Sequence, residues 1–217
     1  MDLKVASLAE RPEMLGPVVE MAHTWPEFLL HDPVGDAHYG RIARELPEFV
    51  QFAEDERGEV VAHAYSVPFA LAGEDRGELP SRGWDAVLGW AFEDLRRGTP
   101  PDTVSAISIV VAPLRPSAKH LEPRTPMEEY AVRLRPDGLP HDPWLRVHVR
   151  AGGAVEAVAP SSMTVAASLA EWRAWTGLPF DTEGLVEVPG ALVPVHCEPG
   201  RGYAVYVEPN VWVRHRL

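Results

Sequence analysis

The sequence has little cysteine, little positive charge and no long hydrophobic run, and each shortage excludes a class of protein. Cys197 is the single cysteine among 217 residues, which excludes an internal disulfide and a cysteine-based zinc site. With 20 Lys and Arg against 32 Asp and Glu, the formal net charge is −12, which argues against a nucleic acid or an anionic membrane as partner. No apolar run reaches membrane-spanning length, and the N-terminus lacks the apolar segment of a signal peptide. We therefore expect a cytoplasmic protein.

Strand-like and helix-like segments alternate along the chain. Hydrophobic residues make up 46% and charged residues 24%, as in a soluble globular protein, and the length suits one domain. Helix starts are indicated by Asp36, the capping box Thr125–Glu128, Asp142-Pro143 and the capping box Ser168–Glu171. Strand-like runs lie between them, so the sequence predicts an α/β (α+β mixed) fold with a mixed, partly antiparallel sheet and helices on both faces.

The most informative segment is a junction between a strand and a proline-rich stretch. Residues Thr103–Ala112 are apolar and largely β-branched, which predicts a buried strand, and the run passes directly into Pro113–Pro116. No glycine occurs between Gly98 and Gly138. This stretch therefore contains no glycine-rich turn whose backbone N–H groups could bind an anionic ligand at a helix N-terminus.

Several sequence blocks resemble the GNAT family of acyltransferases. The blocks are Trp25–Phe28 with Asp32-Pro33, Arg115–His120 and Gly138–Arg150, and the tail Glu208–His215 resembles the ending of a GNAT-like subgroup. The resemblance covers nearly the whole chain and implies a GNAT-like acyl-CoA N-acyltransferase fold. It implies a GNAT-like domain at residues 1–166 and a C-terminal helix and β-rich extension, packed on the same domain, at residues 167–217.

The resemblance also implies where an acyl-CoA donor binds. In the family, the backbone of one strand pairs with the pantetheine arm of acetyl-CoA, and the matching positions are Ile109, Val110 and Val111. A glycine-rich turn then holds the pyrophosphate at a helix N-terminus, and this donor-loop segment is missing after residue 113. Because a parallel strand needs a crossover, either one family strand is lost or two are fused over residues 103–114. We expect acetyl-CoA or a related acyl-CoA as donor, at an impaired site, and no metal.

Two residues are predicted to carry the chemistry. His148 lies four residues before Gly152, where many GNAT enzymes have the tyrosine that protonates the departing thiolate, and an imidazole could do the same. The alternative is a helix histidine that packs and bonds locally. Glu27 lies in a loop that borders the acceptor site in this family, and it could take a proton from an amine directly or through water. The alternative is a surface glutamate.

The predicted acceptor pocket contains five residues: Trp25, Phe28, His31, Asp32 and Trp144. For Trp25 and Phe28, packing in the core or against a loop is the alternative interpretation.

Two further patterns suggest binding chemistry. His-Asp-Pro occurs at His31–Pro33 and His141–Pro143, and the two pairs would offer four metal ligands if they met, although a helix cap explains Asp142 better. Arg115, Lys119 and His120 form a small basic cluster that could hold an anionic group or lie in a solvated loop.

The sequence thus favours an enzyme, a GNAT-like acyltransferase that moves an acetyl or acyl group from acyl-CoA to a small-molecule amine. The alternative is a non-catalytic GNAT-derived protein that binds a ligand or a partner, and the missing turn favours it. We expect a small-molecule substrate. A homodimer could cover the sheet face that the missing helix would leave exposed.

Overall fold

The computed structural model describes residues 3–21, 25–73, 76–106 and 111–215, and gives only the backbone for residues 106, 111 and 112. The strands in these ranges are β1 Lys4–Ser7, β2 Val50–Glu54, β3 Val60–Phe69, β4 Thr103–Ala106, β5 Val111–Leu114, β6 Ala154–Ser168, β7 Gly184–Val186, β8 Val195–Glu198 and β9 Tyr203–Arg214. The α-helices are α1 Leu15–Glu20, α2 Pro33–Glu45, α3 Gly83–Arg97, α4 Met127–Ala131, α5 Pro143–Arg150 and α6 Leu169–Thr176. Short 3-10 turns occupy Pro12–Met14, Glu27–His31, Pro47–Phe49, Lys119–Leu121 and Pro199–Arg201.

The first sheet contains four strands in the order β1-β2-β3-β4, and each neighbouring pair is antiparallel. The turn between β2 and β3 forms where the sequence predicts it, at Asp55–Gly58. The Asp55 carboxylate accepts hydrogen bonds from the backbone N–H groups of Arg57 and Glu59, which closes the hairpin. Strand β4 pairs with the end of β3, in a register that joins Ser66 to Ala106.

The second sheet is organised around β9. Strand β6 runs along one edge of β9, from Ala154↔Arg214 to Ser168↔Tyr203, and its pairing is interrupted by two register shifts. The opposite edge of β9 pairs with β5 and β8, and β7 pairs with β8. All of these pairs are antiparallel. The domain boundary that the sequence predicts between residues 166 and 167 falls within β6.

The junction after Thr103 forms two strands in two different sheets, so the prediction of one buried strand over Thr103–Ala112 is wrong. Strand β4 pairs with β3 in the first sheet, and β5 pairs with β9 in the second. Neither of the two outcomes expected for residues 103–114, a lost strand or a fused one, describes this arrangement. A hydrophobic run reports burial and does not report which strand will pair with it. Residues 107–110 lie outside the described ranges.

Three of the six described α-helices begin at a residue whose side chain caps the helix. Asp142 caps α5, and Ser168 with Glu171 forms a complete capping box at α6, as predicted. Helix α2 begins earlier than expected, because Asp32 is its N-cap and Pro33 its first residue; the prediction of Asp36 as the cap is wrong.

The capping box predicted at the start of α4 does not form. Pro126 is the N-cap and provides no side-chain bond. The Thr125 hydroxyl donates instead to the Glu122 carboxylate, at 3.3 Å.

The core has three groups of buried side chains. One group packs the first sheet against α2 and α3. A second surrounds Trp172 of α6, and a third lies between α4, α5 and the β5 end of the second sheet. Gly83 allows a close approach at the start of α3, since a Cβ there would meet the Ser162 hydroxyl of β6 at 2.2 Å. That hydroxyl accepts a hydrogen bond from the backbone N–H of Trp84. In the described ranges no helix is both long enough and apolar enough to span a membrane.

Candidate active site

A cavity of about 960 Å³ lies where the two sheets meet α2. Strand β3 contributes to it from the first sheet, β5, β6 and β9 contribute from the second, and the turn before α2 supplies one wall. The residues that matter most for its chemistry are Trp25, Asp32, Asp36, Tyr39, His63, Tyr65, Trp84, Arg115, Trp144, Glu208 and Asn210. Such a concave, partly aromatic space with a few polar groups is typical of a small-molecule site.

The cavity carries more negative than positive charge. Asp32, Asp36 and Glu208 line it, against the single guanidinium of Arg115 among the described lining residues. Aromatic rings form much of the remaining wall, and aromatic faces attract cations. Together these groups favour a cationic ligand over an anionic one.

Asp32 combines a structural role with an unmet hydrogen-bonding capacity. One carboxylate oxygen, Oδ2, accepts a hydrogen bond of 2.6 Å from the backbone N–H of Gly35 and so caps α2. The other oxygen, Oδ1, is buried and has no hydrogen bond to a described residue. Asp32 is only 3% exposed, and burial raises its pKa. A buried carboxylate with an unpaired oxygen costs free energy unless something else provides a partner.

Asp85 lies close enough to Asp32 for their charges to interact. Its Oδ1 is also buried without a hydrogen bond to a described residue, and its Oδ2 lies 3.5 Å from Arg82. Burial, and then the charge of Asp32, raise the pKa of Asp85 to about 7. This residue lines a separate open groove between α2 and α3, so the two carboxyl groups lie between two concave surfaces.

Asp142, in the second His-Asp-Pro sequence, has hydrogen-bond donors to both of its carboxylate oxygens. Asp142 Oδ1 accepts from the N–H groups of Trp144 and Leu145, and Oδ2 accepts from the N–H of Ala118 and the hydroxyl of Tyr130. Asp142 is therefore a structural cap. In the described ranges no cluster of three His, Cys, Asp or Glu side chains is arranged to hold a metal ion.

Glu208 anchors a polar network on β9. Its carboxylate accepts from Arg115 Nε at 3.1 and 3.0 Å, from the Tyr206 hydroxyl at 2.7 Å and from Asn210 Nδ2 at 3.1 Å. Arg115 also donates to the Gly190 carbonyl, and its guanidinium lies 5.9 Å from the Trp25 ring centre. Glu208 is 1% exposed, and this network makes its burial possible.

His63 lines the cavity from strand β3. Its Nδ1 lies 3.1 Å from the Val18 carbonyl, and its ring meets the Tyr65 ring edge-on at 5.2 Å. No described residue forms a hydrogen bond with Nε2, and this atom is not buried.

His148 lies near the C-terminal end of α5, beside the end of β9. Its Nδ1 is 2.9 Å from His215 Nε2, and the Trp144 ring packs against it at 4.8 Å. Its Nε2 is buried and has no hydrogen bond to a described residue. Burial, and then the charge of His215, lower the pKa of His148. Trp144 lines the cavity, whereas His148 does not.

The Glu27–His31 turn separates three of the predicted site residues. Glu27 is 57% exposed and lies 3.4 Å from His31 Nε2, which is part of a ring stacked on Trp175 at 4.1 Å. Phe28 points into the core, between the rings of Trp172 and Tyr206. None of the three lines the cavity, while the neighbouring Trp25 and Asp32 do.

The remaining predicted residues belong to the donor strand and the basic cluster. Ile109 and Val110 lie outside the described residues, and Val111 begins β5. The basic cluster does not form as expected, because Lys119 is buried and donates to the carbonyls of Glu122, Pro123 and Leu192. Arg115 faces the cavity instead, already paired with Glu208.

Sequence reasoning missed His63, Asp85 and Glu208 as site residues. The three come from separate elements, and only tertiary structure brings His63 and Glu208 to one cavity. A signal was present for Glu208, an acidic residue in the middle of an apolar strand, Tyr203–Arg214. His63 also interrupts an apolar strand.

A comparison with solved structures identifies the fold. The structure is similar to the loading GNATL domain of CurA from Lyngbya majuscula, with a TM-score of 0.52, 14% identity and coverage of 99% of this chain and 96% of that domain. This likeness defines the fold as GNAT-like and confirms the α/β class predicted from the sequence. No protein-family model matches the sequence.

A sequence relative settles the family. The chain is 33% identical to the arginine N-acetyltransferase avaD of Aspergillus versicolor, over 96% of this chain and 92% of the relative. The chain belongs to the GNAT family of N-acetyltransferases, as the sequence blocks suggested. The alignment runs over 271 positions, 54 more than the 217 residues of this chain, so the relative has residues that this chain lacks.

Proposed function

We propose that this protein transfers an acetyl or related acyl group from acyl-CoA to the amine of a small, positively charged molecule. The observation that carries this proposal is the cavity at the meeting of the two sheets, with its aromatic walls and excess of carboxylates. Membership in an N-acetyltransferase family supports the reaction class. The relative's activity on arginine makes L-arginine the first acceptor to test.

The reaction needs a nitrogen lone pair and a leaving thiolate. The amine nitrogen attacks the thioester carbonyl carbon, the C–N bond forms, the C–S bond breaks, and the electron pair leaves on sulfur. The nitrogen loses a proton and the thiolate gains one, which gives an amide and free CoA. His148 is our candidate for the thiolate's proton, and its Nε2, which has no hydrogen bond to a described residue, supports that role. Glu27 could take the amine's proton through water, since its carboxylate does not line the cavity.

The donor site is proposed to hold acyl-CoA without its usual pyrophosphate cradle. Val111 at the start of β5, with Ile109 and Val110, would pair with the pantetheine arm. No glycine-rich turn follows, because no glycine occurs between Gly98 and Gly138. In the described part of the chain, β5 leads into Arg115 and the 3-10 turn Lys119–Leu121, and neither forms an anion-binding helix N-terminus.

The first test measures acetyl transfer from acetyl-CoA to L-arginine, agmatine and a neutral amine of similar length. We expect products that carry one added acetyl group from the cationic acceptors and little from the neutral one. Acetyl-pantetheine, which has no pyrophosphate, is the matched donor control. Similar use of both donors, within about threefold, would show that no cradle contributes; absence of product from every donor and acceptor would refute the proposed activity.

The missing turn favours one alternative, a GNAT-derived protein that binds a ligand without catalysis. Isothermal calorimetry separates the two proposals. Binding of L-arginine with no detectable binding or turnover of either donor would support the binding protein. Micromolar binding of acetyl-CoA would support the enzyme.

A further inference from the structure

His63 has a tautomer fixed by its neighbour. Its Nδ1 lies 3.1 Å from the Val18 carbonyl oxygen, and a carbonyl can only accept a hydrogen bond. Nδ1 must therefore carry the proton. In the neutral ring, Nε2 is then left with a lone pair and no proton.

His63 lies on the wall of the cavity. His63 and Tyr65 alternate with Ala64 on β3, so they share the face of the strand that lines the cavity. Pairing of β3 with β2, which aligns His63 with Phe52, holds the backbone, and the Val18 carbonyl holds the ring. Nε2 is accessible and has no hydrogen bond to any described residue.

We infer that His63 Nε2 takes the proton from the ammonium group of the acceptor. This inference rests on the proposed function and names a further residue for it. One N–H bond of the ammonium breaks, its electron pair stays on the nitrogen, and the proton bonds to the Nε2 lone pair. The imidazole becomes an imidazolium, and the free amine lone pair is ready to attack a carbonyl carbon.

The geometry favours His63 over Glu27 for this step. A proton acceptor must reach the proton it removes, directly or through one water. His63 lines the same cavity as the carboxylates that attract a cation, whereas Glu27 is more than half exposed beside His31.

Three variants separate proton transfer from positioning. His63→Asn keeps an N–H near the position of Nδ1 for the Val18 carbonyl and removes the base at Nε2. Glu27→Gln removes the rival base, and His196→Gln changes an exposed histidine on β8 as the matched control. With L-arginine and acetyl-CoA we expect His63→Asn to lower kcat by about 10²- to 10⁴-fold, with KM for the acceptor changed by less than about threefold. We expect His196→Gln to stay within about threefold of the parent, and Glu27→Gln to lower kcat by less than His63→Asn does. A loss confined to Glu27→Gln overturns the inference and leaves the proposed function intact.

A second measurement does not depend on turnover. Nitrogen NMR of histidine-labelled protein, with the His63 signals assigned by their loss in His63→Asn, reports which ring nitrogen carries the proton. We expect a protonated Nδ1 and a bare Nε2, and L-arginine or agmatine should move Nε2 toward the signal of a protonated nitrogen. A proton on Nε2 without ligand, or no response of Nε2 to either cation, overturns the inference. If the parent makes no acetylated product but Nε2 responds, the proposed acyl transfer fails while His63 stands as the group that contacts the cation.

Discussion

The two His-Asp-Pro sequences allow a direct comparison of a satisfied and an unsatisfied aspartate. We expect Asp142→Ala to lower the free energy of unfolding by about 3–5 kcal/mol. About 1 kcal/mol comes from loss of the α5 cap, and the rest comes from the Ala118 N–H and the Tyr130 hydroxyl, which lose their partner. Tyr130 is 1% exposed, so water does not replace that bond.

The same change at Asp32 should cost much less. Asp32→Ala removes the hydrogen bond to Gly35, worth about 1 kcal/mol, and also removes a buried carboxylate whose Oδ1 has no partner among the described residues. The two contributions oppose each other, and we expect a net change of about 1 kcal/mol or less in either direction.

Urea unfolding followed by circular dichroism measures both variants, with the exposed Asp181→Ala as control. An unchanged slope with urea would show that only stability has changed. Losses that agree within about 0.5 kcal/mol for the two variants would refute the reasoning, because hydrogen bonding of the carboxylate would then not decide the cost.

Three further predictions concern buried groups. Asp85→Asn should stabilise the protein by on the order of 1–3 kcal/mol above pH 7, and the gain should fade toward about pH 4. The reason is that the folded pKa of Asp85, about 7, lies above the usual 3.8, so ionisation of Asp85 opposes folding. Urea unfolding measures the gain, and an equal gain at pH 5 and pH 8 would contradict this prediction. Lys119→Met should cost about 2–3 kcal/mol, since the buried Leu192 carbonyl and two half-buried carbonyls lose their donor, and thermal unfolding would show it. Phe28→Ala should cost about 3–5 kcal/mol in the same assay, and a loss of acceptor affinity without a loss of stability would instead place Phe28 in the acceptor pocket.

Features set by a few neighbouring residues were the most predictable from the sequence. The caps at Asp142 and Ser168 and the turn after Asp55 depend on bonds within four residues, and all three form as expected. The cap of α2 was wrong by four residues because Asp32-Pro33 is the stronger start signal. The junction after Thr103 was wrong for a different reason, since its two strands depend on partners far away in sequence.

The site was predicted only where a resemblance supplied it. Trp25, Asp32 and Trp144 line the cavity, and the family blocks had drawn attention to them. His63 and Glu208 reach the same cavity from strands 145 positions apart in the numbering, and no pattern along the chain records that meeting. The role of each residue remains a prediction for the experiments above.

The position of β9 in the second sheet has a consequence for folding during synthesis. Strands β5, β6 and β8 all pair with Tyr203–Arg214, and all three are made before it. The first sheet can assemble as soon as β4 is complete. The edges of β5, β6 and β8 that pair with β9, by contrast, stay unpaired until β9 has been synthesised. Exposed edges of this kind promote association between chains. Nascent chains that stall before Tyr203 should therefore depend most on chaperones, and codons that slow synthesis just ahead of β9 should reduce the yield of soluble protein.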